Sequence, residues 1–155
     1  DVARRALQVA DRHPELGLNR EFLQEAAMLH DIGITLVDAP GIHCHGTEPY
    51  IRHGLMGGKI LRQEGLPMHA RVAERHTGTG ITREAIEKQG LPLPLADYVP
   101  ETLEEQVVCY ADKFFSKTHL DREKNIQQAE KSLAKFGDDT LARFREMKRL
   151  FEPEL

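Results

Sequence analysis

The sequence predicts an all-α fold, a helical bundle of roughly seven to eight helices. Two observations carry this prediction. Apolar residues recur at intervals of three and four along most of the chain, which is the period of an amphipathic helix. Capping residues, glycines and prolines stand where these periodic stretches begin and end. With 155 residues, the chain is long enough to bury a substantial core as one domain.

The first two helices are predicted before a long irregular segment. Apolar residues mark a helix over residues 2–12. Asn19 can cap a second helix that continues to His30, and Gly33 then ends it. Residues 33–49 are rich in Gly, Pro, Asp and Thr, so they predict a loop.

Two further helices are predicted in the middle of the chain. One covers residues 48–64 and contains Gly57, which costs about 1 kcal/mol of helix propensity. That cost predicts a close approach of another segment to Gly57. Pro67 opens the next helix, which leads to His76. Residues 77–80 then predict a turn, because they alternate Thr and Gly.

The remaining helices follow a short helix over residues 82–89 and a proline-rich extended segment. Thr102 and Glu105 form a capping-box pattern for a helix that reaches Phe115. Residues 121–150 give two amphipathic helices, which we assign to packing or self-association.

We therefore expect a single domain over residues 1–155, with a core of residues 1–118 and a C-terminal helical pair, residues 119–155, packed on it. The net charge of −4 gives no reason to expect an extended nucleic-acid or membrane surface. The two cysteines form no Cys-x-x-Cys pair and fit a reducing compartment. Without a signal peptide or a membrane-length apolar run, we expect a cytoplasmic protein.

A histidine and an aspartate stand side by side at the end of the second apolar helix. Their nitrogen and oxygen donors suit a divalent metal ion, although a hydrogen-bonded core histidine would give the same dipeptide. Further candidates lie on the core-facing sides of other helices, and a bundle can bring such groups to one cavity. The candidate metal ligands are His30, Asp31, His53, His76 and Asp112.

Four other side chains are candidates for substrate binding. His45 lies in the predicted loop and could reach the rim of a site, although loop histidines are usually solvated. Arg52, Arg75 or Lys113 could add positive charge at that rim. Helical direction alone does not decide which of these cations reaches the site.

These motifs together resemble the HD-domain superfamily, specifically the group with a His-Asp-Ile-Gly signature. The resemblance covers most of the chain. It rests on Leu29-His30-Asp31-Ile32-Gly33, His53 followed by Gly57, Arg75-His76, and Tyr110-Ala111-Asp112-Lys113.

The resemblance implies a ligand assignment. His30, Asp31 and Asp112 match the core metal ligands, and Asp31 would bridge two ions. His53 and His76 match the positions that hold a second ion. The ligands suit one or two divalent transition metals, namely Fe, Mn, Zn, Ni or Co, with Mg as an alternative.

One departure from the family pattern concerns the first helix. Family members usually carry a further ligand histidine a few residues before the segment that matches Val2 and Ala3. This sequence begins after that position. We expect truncation to explain the difference, since the sequence begins without methionine, inside a predicted helix.

The resemblance also implies an enzyme. Most of the family are metal-dependent phosphohydrolases acting on nucleotides and other phosphoesters. We expect hydrolysis of a small phosphorylated substrate, such as a nucleotide, by metal-activated water, with Asp31 and Asp112 as catalytic residues. The alternatives are a di-iron oxygenase of the same superfamily and a non-catalytic metal- or nucleotide-binding regulatory module. A homodimer through the C-terminal helical pair is also expected.

Overall fold

The fold is all-α, as the sequence predicts. A computed structural model describes residues 1–39, 44–46, 48–116 and 122–155. Within these ranges none of the helices is long and apolar enough to span a bilayer. Eight α-helices lie in the described part: α1 (Val2–Arg12), α2 (Arg20–Leu29), α3 (His53–Gln63), α4 (Pro67–Glu74), α5 (Arg83–Gln89), α6 (Leu103–Asp112), α7 (Ile126–Ala134) and α8 (Asp138–Phe151).

A small sheet lies in the segment that the sequence predicts as a loop. Its strands are β1 (Val37–Ala39), β2 (Cys44–His45) and β3 (Glu48–Pro49). The strand order is β2-β1-β3, antiparallel between β1 and β2 and parallel between β1 and β3. These strands are too short to produce an alternating apolar pattern. Helix α3 begins at His53 and not at the predicted residue 48, because β3 occupies residues 48 and 49.

The core lies where the C-terminal helices meet α1 and α6. The rings of Tyr110 and Phe144 stack with centroids 5.3 Å apart, and Phe114 and Phe151 contact the Tyr110 ring from other directions. All four side chains are fully buried. The two C-terminal helices therefore share one core with the preceding helices, and this core supports α6, which ends at Asp112.

A buried carboxylate joins the end of α8 to α1. Arg5 Nη2 and the Tyr110 hydroxyl donate hydrogen bonds to Glu152 Oε1 at 2.6 and 2.7 Å. Arg12 donates to Glu152 Oε2 at 3.2 Å. Glu152 is 3% exposed, and the Arg5 guanidinium also lies over the Phe114 ring. This network fixes α1 against the C-terminal end of the chain.

The capping box predicted at the start of α6 is only half formed. Thr102 Oγ1 accepts a hydrogen bond from the Glu105 N–H at 3.1 Å, as predicted. The Glu105 carboxylate accepts from the N–H of Glu101 instead of Thr102, and it also binds Arg71 at 2.8 Å. The N–H group that the Glu105 carboxylate accepts from is thus one residue earlier than predicted, and the same carboxylate is bound by Arg71.

The helix predicted to reach Phe115 ends at Asp112. The N–H groups of Lys113, Phe114 and Phe115 each donate to the carbonyl three residues earlier, at 3.1, 3.3 and 3.2 Å. A tighter final turn of this kind satisfies carbonyls at the end of a helix. The sequence overestimated the helix because the apolar period continues through this turn.

Glycines allow α3 to approach the segment that follows α2. The nearest atom to a Cβ added at Gly57 would be the Gly33 nitrogen, at 3.2 Å. A Cβ added at Gly33 would overlap the His53 carbonyl oxygen and the Gly57 nitrogen. The close approach predicted at Gly57 is therefore confirmed, and the contact is tighter at Gly33.

We expect Gly33→Ala to lower the free energy of unfolding by about 2 kcal/mol, because overpacking between two backbones cannot be relieved by a rotamer change. Gly57→Ala is the matched comparison. It should cost less, because its contacts are wider and alanine gains about 1 kcal/mol of helix propensity. Urea denaturation of both variants measures the difference. Equal destabilisation would contradict the geometry.

Candidate metal centre

Three histidines at helix ends present the same nitrogen to one another. His30 follows α2, His53 begins α3, and His76 lies two residues beyond α4. In each, Nδ1 donates a hydrogen bond to the carbonyl three residues earlier, which leaves Nε2 free to face the cluster. The acceptors are Ala27, Tyr50 and Ala73, at 2.5, 2.9 and 2.8 Å.

The Asp31 carboxylate lies among the three imidazoles. Its Oδ2 is 3.3 Å from His30 Nε2, whereas its Oδ1 is 3.4 Å from His53 Nε2 and 3.1 Å from His76 Nε2. The last two nitrogens are 3.0 Å apart. The two oxygens of Asp31 thus face different imidazoles, which is the arrangement that a bridging carboxylate needs.

Asp112 approaches the cluster from α6. Its Oδ1 is 3.1 Å from His30 Nε2, and its Oδ2 accepts a hydrogen bond from Lys113 Nζ at 2.6 Å. Lys113 also donates to the His76 carbonyl at 2.8 Å. Helical direction alone would turn Lys113 about 100° away from Asp112. Its long side chain instead curls back, so the lysine pairs with this carboxylate.

The five predicted ligand residues come together in two groups that share His76. One comprises His30, His76 and Asp112; the other comprises Asp31, His53 and His76. In each, the donor atoms lie within 4.8 Å of one another. Imidazole nitrogen with carboxylate oxygen suits divalent transition metals. A cation would also offset the cost of burying two carboxylates, so the residues fit a metal centre.

The electrostatics of the cluster favour positive charge. Burial alone would lower the pKa of His30, but the nearby carboxylates of Asp112 and Asp31 outweigh it and raise the pKa to about 10. Burial lowers the pKa of His76 to about 4, so its ring is neutral. Burial opposes ionisation of Asp31, yet the three surrounding histidines hold the pKa of its carboxyl well below the usual range. Burial likewise opposes ionisation of Asp112, whose pKa is held well below the usual range by Lys113 and by His30 and His76.

The cluster opens on two sides. His53, His76 and Asp112 line a cleft of about 940 Å³ that extends past α5 to the junction of α7 and α8. A smaller cavity of about 250 Å³ borders His30, Asp31 and Asp112 from the other side, and Val2 is part of its wall. The larger cleft has room for a small substrate beside the candidate ligands.

Residues 1–116 match the family model described as HD domain. The chain belongs to the HD domain family.

Relatives of this HD domain include much longer proteins. It is 38% identical over 124 residues to the tRNA (cytidine(56)-2'-O)-methyltransferase of Picrophilus torridus, a match covering 79% of this chain and 31% of that protein. The same-named protein of Thermoplasma volcanium is 38% identical over 112 residues, covering 72% of this chain and 28% of that protein. The chain thus spans less than a third of either methyltransferase.

A third relative is closer in length to this HD domain. The uncharacterized protein MJ0778 of Methanocaldococcus jannaschii is 38% identical over 132 residues. That match covers 83% of this chain and 70% of the relative. No solved structure matches the chain.

The two arginines predicted at the rim of the site are bound by backbone carbonyls, and their predicted role in substrate binding stays a prediction. Arg52 donates to the Pro92 carbonyl at 3.2 Å. Arg75 donates to the Val99 carbonyl at 2.9 Å and pairs with Glu101 at 2.8 Å. Neither arginine is among the described residues that line the cleft of this HD domain. Lys113 does line the cleft, and its ammonium contacts the candidate ligand Asp112.

His45 contributes its backbone to β2, but its side chain lies outside the described residues. Its predicted contact with substrate therefore stays a prediction.

A contact from α8 that sequence reasoning missed holds the turn after His76. Arg143 donates to the carbonyls of Thr79 and Gly80, each at 3.1 Å. The buried Thr79 hydroxyl donates to the Thr140 carbonyl at 2.9 Å. Arg143 is on an amphipathic helix whose charges suggested only a solvated face. Its spacing of three residues from Thr140 was the available signal, since both lie on one side of α8.

Cys109 lies beneath the same turn, fully buried, with its thiol directed at the carbonyls of His76 and Gly78. Burial raises the pKa of this thiol to about 11. At pH 8 the thiolate, which is the reactive form, is then about one part in a thousand. In a Cys44→Ser background we expect no alkylation by iodoacetamide at pH 8 until urea unfolds the protein, as followed by mass spectrometry. Rapid labelling of the native protein would contradict this burial.

Proposed function

We propose that this HD domain is a metal-dependent phosphohydrolase that cleaves a small phosphoester with metal-activated water. The convergence of three imidazoles and two carboxylates at the edge of a cleft of about 940 Å³ carries this proposal. Nitrogen and oxygen donors at a buried site that opens to solvent are suited to hydrolytic metals. The ligand roles of the five residues belong to the same proposal.

His30 and Asp112 would hold one cation, His53 and His76 would hold another, and Asp31 would serve both. When bound, one or two divalent ions, of Fe, Mn, Zn, Ni, Co or Mg, would lower the pKa of water and polarise the phosphoryl group. The backbone carbonyls that accept from Nδ1 orient the imidazoles for this role.

The chain's own residues would position and balance the charges. Asp31 is the proposed bridge, because its two oxygens face different imidazoles. Lys113 fixes the Asp112 carboxylate and adds positive charge at the cleft, where it would stabilise negative phosphoryl oxygens. We assign catalytic roles to Asp31 and Asp112 on this basis.

The names of the relatives suggest an RNA connection but not the same reaction. We do not extend methyl transfer to this chain, because the matched region is under a third of each methyltransferase. The tRNA in those names makes a nucleotide or RNA-derived phosphoester a reasonable substrate class. The absence of an extended nucleic-acid surface, a cytoplasmic location and a homodimer all stay predictions.

The first experiment combines metal content with turnover. We would measure bound metals in the purified protein and in a His30→Ala/Asp31→Ala variant, and assay phosphate release on the same samples with and without oxygen. His69→Ala is the matched control, because His69 pairs with Glu25 on the surface between α2 and α4. We expect about two equivalents of metal. The double variant should lose them together with oxygen-independent phosphate release, whereas the control should keep both.

Other outcomes identify the alternatives. Two irons with turnover only in air would replace the phosphohydrolase by a di-iron oxygenase that uses the same ligands. Bound metal without turnover on a broad phosphoester panel, with thermal stabilisation by one nucleotide, would indicate a regulatory module. Absence of metal after reconstitution would overturn the metal centre itself.

A further inference from the structure

The cleft beside the candidate metal centre carries several positively charged side chains that already have hydrogen-bond or ion-pair partners. Lys88 pairs with Glu84 at 3.0 Å, and Lys113 pairs with Asp112. The guanidinium of Arg143 binds two carbonyls of the turn after His76. Lys88 and Lys113 thus have carboxylate partners, whereas Arg143 is held by neutral carbonyls.

Lys124 is a half-buried cation held in this cleft by its backbone. Its N–H donates to the Phe114 carbonyl at 2.7 Å, and the preceding residue, Glu123, forms a β-bridge with Phe115. The Glu123 carboxylate is in turn bound by Arg4. The backbone around Lys124 is thus fixed against the end of α6, so the position of this lysine in the cleft wall is defined by the fold.

Lys135 lines the same cleft from the end of α7. Its ammonium lies 5.5 Å from the centre of the Phe136 ring, which is 64% exposed. Among the described residues, neither Lys124 nor Lys135 has a carboxylate at ion-pair distance. Four separate segments therefore each bring a lysine to one cleft, and two of these lysines have no carboxylate partner among the described residues.

The lysines are close enough to influence one another. Burial lowers the pKa of Lys124, and the positive charges of Lys113 and Lys135 lower it further. Like charges gathered at a partly buried wall are unfavourable unless an anion joins them. The acidic residues on this side of the cleft, Asp138 and Asp139, are exposed in the first turn of α8, where they favour the helix dipole.

We propose that Lys124 and Lys135 form an anion subsite that accepts a second phosphate of the substrate. One phosphate would lie at the metal centre and the other at these two lysines. The inference rests on the proposed phosphohydrolase function only for the first of these phosphates. Two kinds of substrate carry such a pair: a nucleoside diphosphate, with adjacent phosphates, and a nucleoside 3',5'-bisphosphate, with separated ones.

The test measures binding, so it does not depend on turnover. Isothermal titration of the metal-loaded full chain with hydrolysis-resistant thiophosphate analogues of AMP, ADP and adenosine 3',5'-bisphosphate, at fixed ionic strength, gives the preference for a second phosphate. We expect one of the two bisphosphorylated ligands to bind better than AMP, with Lys124→Met and Lys135→Met each weakening it about tenfold. AMP binding should change much less. Lys131→Met is the matched control, since Lys131 is an exposed lysine of α7 that is not among the cleft-lining residues.

The outcomes separate this subsite from the proposed reaction. A preference for ADP that the lysine variants lose would indicate a substrate with adjacent phosphates. A preference for the 3',5'-bisphosphate that they lose would indicate a substrate with separated phosphates. If neither ligand is preferred, or if Lys124→Met and Lys135→Met bind like Lys131→Met, the subsite is wrong. Lysine-dependent binding without phosphate release in the metal-loaded protein would instead reject the phosphohydrolase and keep the subsite. Circular dichroism spectra of all three variants establish that they are folded.

Discussion

Asp31→Asn is expected to lower phosphoester turnover of the metal-loaded protein by about a thousandfold or more. The substitution keeps the size of the side chain but removes its charge and replaces one of its two oxygens with an amide nitrogen. Those oxygens face different imidazoles at 3.1–3.4 Å, so one amide cannot serve both sides. Phosphate release and metal content, measured on the same sample, check this expectation.

Asp11→Asn is the matched control for this substitution. Asp11 is an exposed residue of α1 that pairs with Arg20 on the surface. This variant should keep full metal content and turnover. The role of Asp31 would be rejected if Asp31→Asn retained both as well, whereas loss of metal with native circular dichroism would attribute the effect to the site and not to unfolding.

Glu152→Gln is expected to lower the free energy of unfolding by about 2 kcal/mol. The substitution removes the charge from one of the two carboxylates that bind the Arg5 guanidinium, whose side chain is 11% exposed, and leaves Glu123 as the other. The Tyr110 hydroxyl would also lose a charged acceptor at 2.7 Å. Urea denaturation at pH 7 measures the loss.

Glu154→Gln provides the comparison, because it makes the same chemical change two residues away. The Glu154 side chain is 54% exposed and lies 3.7 Å from Arg12, so its removal should cost no more than about 0.5 kcal/mol. Similar midpoints for the two variants would mean that the buried network contributes little to stability.

The helices and the convergence of the candidate ligands were predictable because both depend on local order. The spacing of apolar residues located the helices, and Asn19 and Thr102 cap α2 and α6 as predicted. The five ligand candidates could be named because they stood at or near the core-facing sides of four helices, with His30 and Asp31 adjacent at the end of α2. Their convergence required only that these helices pack together.

Features that depend on long-range contacts were not predictable. The partners of Arg75, Glu101 and the Val99 carbonyl, were not predictable because both are distant in sequence. The pairing of Lys113 with Asp112 was not predictable, because helical direction does not describe where a side chain with four rotatable bonds ends. The short strands between α2 and α3 also escaped prediction, since their pairing has no local signature.

The contacts of α8 determine how short a working fragment of this protein can be. The family match ends at residue 116, yet Phe144 and Phe151 pack on the aromatic core of α6, and Arg143 holds the turn after His76. An expression fragment cut at the end of the match would expose that core and release the turn beside the candidate metal centre. The smallest fragment that preserves the site therefore extends through Glu152.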